Sequence, residues 1–286
     1  MSVGVGLGGL VSYRAYKKKS LSLDGALLAL VTGVSHSMVG LSPVCMLLAF
    51  FYSSSKLTKM KADLKKQYEP DHKEGGQRDW KQVASNGGLQ ILVCCYYLYR
   101  FGCSEVGINF EENYWRSFLI SMLIGGYSTS NGDTWASEIG ITSKGPVWLI
   151  TTGKRVPRGT NGGISLLGTI ASIGGGALIG LVYLGCACIL SDSGVWDALR
   201  HQWPAVLLGT GSGFVGSMVD SLLGATLEYS GWDEKANMIV YKKASITKRI
   251  SGMELLDGNK VNFISIVITA FLSAWMAPKV FQLAHI

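Results

Sequence analysis

Charged side chains are scarce in this sequence. Asp, Glu, Lys and Arg make up 16% of the 286 residues, against roughly 25% in soluble domains, while 48% are hydrophobic and 37 residues are glycine. A soluble fold would have to bury that apolar excess in a single core. Instead the charge-free stretches recur, at 164–190 and 204–219 for example, each close to the roughly 20 residues that cross a hydrocarbon core. Compact charged loops separate them, as expected of a chain that returns to water after each crossing. A framework of paired cysteines is also lacking. Cys45, Cys94, Cys95, Cys186 and Cys188 lie inside apolar runs and only Cys103 borders a polar loop, which argues against disulfides or a zinc site and for small-residue packing. No basic residue precedes the first apolar stretch, as a cleaved signal would require. Residues 1–11 are followed by Arg14, Lys17, Lys18 and Lys19, so they read as a short first span or a membrane-seated half-helix.

What is present is a series of short apolar segments at 3–13, 24–39, 41–52, 86–101, 117–130, 164–190, 204–223 and 261–276. The expected fold is all-α: one transmembrane domain over residues 1–286, a polytopic helical bundle of roughly seven or eight short spans, some broken or re-entrant. Pro43 cannot extend the preceding helix, so 40–43 makes the turn of a tight helical hairpin. Loops 13–20, 53–81, 141–158 and 225–260 are rich in Lys and Arg, whereas 102–116 and 191–203 are acidic or nearly neutral. If every span crosses once, the basic loops share one side, which the positive-inside rule assigns to the cytosol. Lys61, Lys65 and Lys66 read as ordinary positive-inside residues. Small residues such as Gly174, Gly175, Gly176, Gly180, Gly209 and Gly213 suit close helix packing. Gly211, Gly213 and Gly216 imitate a dinucleotide fingerprint but follow no strand.

Carboxylates at the edges of apolar runs carry the chemical information, because an ionised group there costs several kcal/mol unless it meets a polar cavity, a cation or a metal. Asp133 and Glu138 lie in STSNGDTWASEIG at 128–140, Asp220 closes the run 214–219, and Asp257 opens the last span. On a continuous helix Asp133 and Glu138 point about 140° apart. They share a ligand only if the helix is interrupted, and Gly132 with its polar neighbours marks the expected break. Hard oxygen donors of this kind suit Mg²⁺. The glycine-rich loop GKRVPRGTNGGIS at 153–165 runs into the longest span, where free amides and the helix dipole attract anions. Lys56, Lys59 and Arg78 add positive charge from another loop.

At these residues the sequence resembles the transmembrane protein 19 family, whose members include the plant phytyl-phosphate kinase of tocopherol synthesis and a plant membrane protein linked to glucose response. The resemblance rests on NGDTWASEIG at 131–140, GTNGGIS at 159–165, GSMVDSLLGAT at 216–226 and LLDGNKVN at 255–262, and KKKSLSLDG at 17–25 looks most like the glucose-response branch. One position departs: Gly258 stands where many relatives have Asn. The resemblance implies a polytopic membrane protein and, for one branch, a kinase that converts an isoprenoid monophosphate into a diphosphate. A basic, hydroxyl-rich transit stretch is missing before the first span, so the expected site is the plasma membrane or endoplasmic reticulum rather than a plastid.

Two functions follow as expectations. The first is a membrane phosphotransferase, a Mg²⁺-dependent kinase of a prenyl or other lipid phosphate using a nucleoside triphosphate. Asp133, Glu138, Asp220 and Asp257 are its catalytic candidates, with Asn131, Asn259 and Asn262 as further metal ligands beside Asp133, Glu138 and Asp220. Lys154, Arg155, Arg158, Gly159, Asn161, Gly162 and Gly163, helped by Lys56, Lys59 and Arg78, would hold the nucleotide. The second is a transporter or sensor without catalytic activity, in which the same acids carry cations. Membrane lipid is the expected partner in either case, and nucleic acid is not.

Overall fold

The computed structural model describes residues 2–60, 77–243 and 247–283; Lys61, Lys65 and Lys66 lie outside them. Nine helices run through the described residues: α1 (Ser2–Lys17), α2 (Leu23–Val39), α3 (Leu41–Met60), α4 (Trp80–Phe101), α5 (Tyr114–Gly140), α6 (Leu166–Leu190), the short α7 (Val195–Gln202), α8 (Pro204–Leu227) and α9 (Gly258–Gln282). Three of them, α6, α8 and α9, are long and apolar enough to cross a membrane by length and composition, and α2 is a shorter apolar helix. Polar residues in α5 face inward, where Ser128, Thr129, Ser130 and Asn131 are all buried.

Two small sheets stand outside the helical body, in loops that the sequence pattern leaves irregular. Strands β1 (Trp148–Leu149) and β2 (Gly163–Ile164) pair antiparallel. Strands β3 (Ser230–Asp233), β4 (Met238–Val240) and β5 (Thr247–Ser251) form an antiparallel sheet in the order β4-β3-β5. The expectation of a broken segment at Gly132 is overturned, since α5 is continuous from Tyr114 to Gly140. Gly132 is a packing residue instead: a Cβ there would lie 2.9 Å from the Gly213 Cα of α8 and 2.9 Å from the Ser172 carbonyl of α6.

That contact belongs to a seam of glycines on which α5, α6 and α8 cross. A Cβ on Gly213 would come within 2.6 Å of the Ser172 carbonyl and 2.7 Å of the Gly176 Cα, and one on Gly180 within 2.6 Å of the Ala205 carbonyl. Without side chains in the seam the backbones approach closely, and dispersion contacts hold helices that no hydrophobic effect drives together in lipid.

The ends of the bundle sort as loop charge suggested. At one end Gln202 bonds to both backbone groups of Ile108, at 3.1 and 3.0 Å, and Glu105 accepts the Ser42 amide at 3.0 Å, which joins the charge-poor loops. At the other, Thr58 donates to Glu138 at 2.8 Å, Lys59 to Ser20 at 2.8 Å, and the Asn161 amide to Ser230 at 3.0 Å. Helices α2, α4, α6 and α9 all begin at this basic end, capped by Ser22, Asp79, Ser165 and Asp257. Each cap satisfies an otherwise orphaned amide, worth about 1 kcal/mol.

Candidate functional site

The glycine seam sets the position of two carboxylates. Asp133 follows Gly132 on α5, and Asp220 lies two turns beyond Gly213 on α8; each is seven residues short of its helix end, Gly140 or Leu227. At 1.5 Å per residue both sit roughly 10 Å inside the basic end of the bundle. They line one cleft of about 220 Å³, walled by α5, α6, α8 and the loop from Arg158 to Ser165. Ser217 donates to Asp133 at 3.3 Å and Ser265 to Asp220 at 3.1 Å. The Asn262 amide, turned so that its nitrogen faces the carboxylate, donates to Asp220 at 3.1 Å.

A third acid joins them that the sequence pattern did not single out. Glu228 follows α8 directly and lines the same cleft. Burial pushes its carboxyl up to about 7, aided by the negative charges of Asp257 and Asp133. The available signal was its place two residues after the 216–226 motif, but in a loop holding several other acids that position alone carried no weight. Gly258 sits against it, where an added Cβ would lie 3.3 Å from Glu228 Oε1.

Other candidates are placed elsewhere. Continuity of α5 sends Glu138 and Asn131 away from Asp133: Glu138 is buried against Thr58, and Asn131 accepts Ser53 and Ser54 at 2.8 and 3.1 Å and donates to the Gly175 carbonyl at 2.8 Å. Both bind helices together rather than lining the cleft. Asp257 caps α9 and pairs with Lys260 at 3.2 Å, and the Lys260 amide holds its carboxyl below the usual range. Asn259 gives its backbone amide to the same cap. Lys59 is tied to Ser20, and Arg78 lies over Phe50 on the α1–α4 side, where burial lowers its proton affinity and nearby Glu138 raises it. Lys56 is exposed on α3 and does not line the cleft. Lys154 and Arg155 are exposed on the β1 hairpin and do not line the cleft.

Arg158, Gly159, Asn161, Gly162 and Gly163 do reach the cleft, but the expected amide cradle is largely occupied. The Asn161 amide donates to Ser230, its side chain to the Tyr229 carbonyl at 3.3 Å, and the Gly163 amide to the Thr160 carbonyl at 2.9 Å. Gly162 is needed for shape: its φ is +77°, and a Cβ would meet the Ser221 carbonyl at 2.5 Å and the Ala225 Cα at 2.7 Å. The anion-attracting elements are therefore Arg158 and the start of α6, beside its Ser165 cap.

No three His, Cys, Asp or Glu side chains converge on one point among the described residues, so the structure has no preformed cage of such ligands there. Two carboxylates with hydroxyl and amide neighbours fit a different arrangement. Mg²⁺ is commonly held by one or two carboxylates, its remaining positions filled by water and substrate phosphate.

Comparison with known proteins agrees with this architecture. Protein PGR of Arabidopsis thaliana is 37% identical over 272 residues, covering 95% of this chain and 94% of that protein. An uncharacterized membrane protein of Methanocaldococcus jannaschii is 29% identical over 227 residues, 78% of this chain and 82% of its own. Protein VTE6, chloroplastic, of Arabidopsis thaliana is 29% identical over 154 residues, 54% of this chain and 44% of its own. That relative is chloroplastic by name, so the expectation against a plastid membrane finds no support among the relatives. No solved structure matches significantly. The description integral membrane protein DUF92 matches residues 6–270, nearly the whole chain and all four motifs, and the protein belongs to that family.

Proposed function

We propose that the protein is a Mg²⁺-dependent phosphotransferase acting at the membrane surface on a lipid phosphate, with a prenyl monophosphate as the favoured substrate class and a nucleoside triphosphate as donor. The supporting observation is that Asp133, Asp220 and Glu228 line one cleft together with Arg158 and the N-terminal end of α6. Phosphoryl transfer asks little covalent chemistry of a protein; it requires positioning and charge neutralisation. Mg²⁺, held by Asp133 and Asp220, would neutralise phosphate charge in this cleft. Asn262, Ser265 and Ser217 orient the two carboxylates, Arg158 and the α6 dipole attract the anionic substrate, and Glu228 offers a proton-accepting site near neutrality. The kinase resemblance supports the lipid class. The same acids could carry cations in a transporter, but their position near helix ends beside basic loops favours an anionic substrate approaching from that side.

The test incubates purified protein with Mg²⁺, labelled nucleoside triphosphates and a panel of prenyl monophosphates. Diphosphate product is expected from the wild type and not from Asp133→Asn or Asp220→Asn, both of which should remain folded because removing a buried charge relieves desolvation. Absence of product, together with absence of any Mg²⁺-dependent thermal stabilisation, would exclude the assignment.

A further inference from the structure

A second cavity lies on the opposite side of α5 from the carboxylate cleft. It occupies about 380 Å³ between α1, α2, α3 and α4, with Tyr127 of α5 in its wall. Its lining runs from Leu21 and Arg78 at the basic end to Gly40 and Leu41 at the other. That is the length of α2, about 25 Å at 1.5 Å per residue, and most of the roughly 30 Å thickness of a hydrocarbon core. The wall is built of aliphatic and aromatic side chains such as Val11, Ala29, Leu47 and Phe51, and among the described residues Arg78 is its single charged one.

Arg78 is held in place by its backbone, and its head group has Glu138 as a nearby counter-charge. Its backbone bridges to the α1–α2 turn, the amide donating to Ser20 and the carbonyl accepting from Ser22, both at 3.0 Å. The guanidinium rests 5.7 Å above the Phe50 ring and makes no hydrogen bond or ion pair with a described residue. Five N–H donors in a planar fork therefore stand at the mouth of an apolar slot, with the polar side chains of Gln82 and Asn86 beside them. A slot of this length fits one extended hydrocarbon chain, and a guanidinium fork fits an oxyanion with two acceptor oxygens.

We propose that this groove binds a single-chain membrane lipid with an oxyanion head, its tail between α1–α4 and its head on Arg78. The site does not depend on the phosphotransferase reading, because α5 separates it from Asp133 and Asp220.

The experiment measures thermal stability of the purified full chain in detergent, titrated with farnesyl monophosphate, oleate, farnesol, inorganic phosphate and a two-chain phosphatidic acid. Variants Arg78→Gln, Ala29→Phe and Asp220→Asn are compared with the wild type. Oleate, which carries no phosphate for the carboxylate cleft to hold, should stabilise the wild type and Asp220→Asn alike, with farnesyl monophosphate free to occupy both sites. Arg78→Gln should weaken oleate binding at least tenfold, bringing it toward that of farnesol, and Ala29→Phe, which fills the slot, should abolish it. Inorganic phosphate should give no shift, and phosphatidic acid less than the single-chain lipids. The proposal fails if Arg78→Gln and Ala29→Phe bind as the wild type does, if phosphate alone reproduces the shift, if phosphatidic acid binds more tightly than the single-chain lipids, or if no lipid stabilises the wild type. Loss of oleate binding in Asp220→Asn with retention in Arg78→Gln would place the lipid in the carboxylate cleft and equally overturn it. Circular dichroism and gel filtration confirm that each variant is folded; should Ala29→Phe fail to fold, Arg78→Gln against farnesol decides alone.

Discussion

Replacing Gly213 by alanine tests the idea that the glycine seam assembles the carboxylate cleft. The new methyl would sit 2.6 Å from the Ser172 carbonyl and 2.7 Å from the Gly176 Cα, about 0.8 Å short of ordinary contact at 3.4 Å, and both obstacles are backbone. No rotamer change relieves such a clash, so α6 and α8 must separate. Overpacking of this kind costs about 1–3 kcal/mol, set against roughly 1 kcal/mol of helix propensity gained from Gly→Ala. Gly211 supplies the control: it lies two residues away on the same helix with nothing within 4 Å of its Cβ position, so Gly211→Ala takes the propensity gain alone. At roughly 2–4 °C per kcal/mol, thermal unfolding in detergent should separate the two variants by several degrees, with Gly213→Ala the lower. Asp220 rides on α8, so Mg²⁺ protection should fall in Gly213→Ala and persist in Gly211→Ala. If Gly213→Ala unfolds at or above Gly211→Ala and keeps its Mg²⁺ response, the seam does not set the site.

Three further outcomes are expected. Gly162→Val should destabilise the protein whether or not nucleotide is present, because the positive φ and the Ala225 contact are properties of the fold; a normal melting temperature with selective loss of nucleotide stabilisation would contradict this. Glu228 titrates near 7 when folded and near 4.5 when unfolded, so the native state binds more protons between those values. Metal-free stability should therefore fall as pH rises from about 4.5 through 7, by an amount on the order of 2–3 kcal/mol, and Glu228→Gln should flatten that dependence; an unchanged melting-temperature profile from pH 4 to 8 would refute it. Cysteines placed at Lys154 and at Glu111 or Asp197 should label from opposite sides of the membrane, and labelling from one side would overturn the topology.

Much of the helical framework was legible because it rests on local rules. Charge-free length marks spans and loop charge sorts their ends, so the order of the long helices follows closely from the residues, whereas the short α7 falls in the 191–203 stretch that reads as a loop. The strands β3, β4 and β5 were not legible, since each is only three to five residues long, too short for alternation to stand out, and the central strand takes its register from two neighbours, Trp232 facing both Ile239 and Lys248.

The candidate site divides in the same way. Composition by itself determined that Asp133, Glu138 and Asp220 are costly carboxylates near one face of a membrane bundle, and helical geometry that the first two diverge unless the helix breaks. The identity of their neighbours was decided by tertiary structure alone. Gly132 permits either a break or a close crossing, because the missing Cβ removes the obstacle to both. Packing against Gly213 and Ser172 selected the crossing, kept α5 straight, set Asp133 beside the cleft with Asp220 and Glu228, and turned Glu138 toward Thr58. Arg78 likewise reads from the sequence as a helper at the nucleotide site, and its place at an apolar slot emerges only when four helices close around it, because a cavity is a property of surfaces brought together from distant parts of the chain.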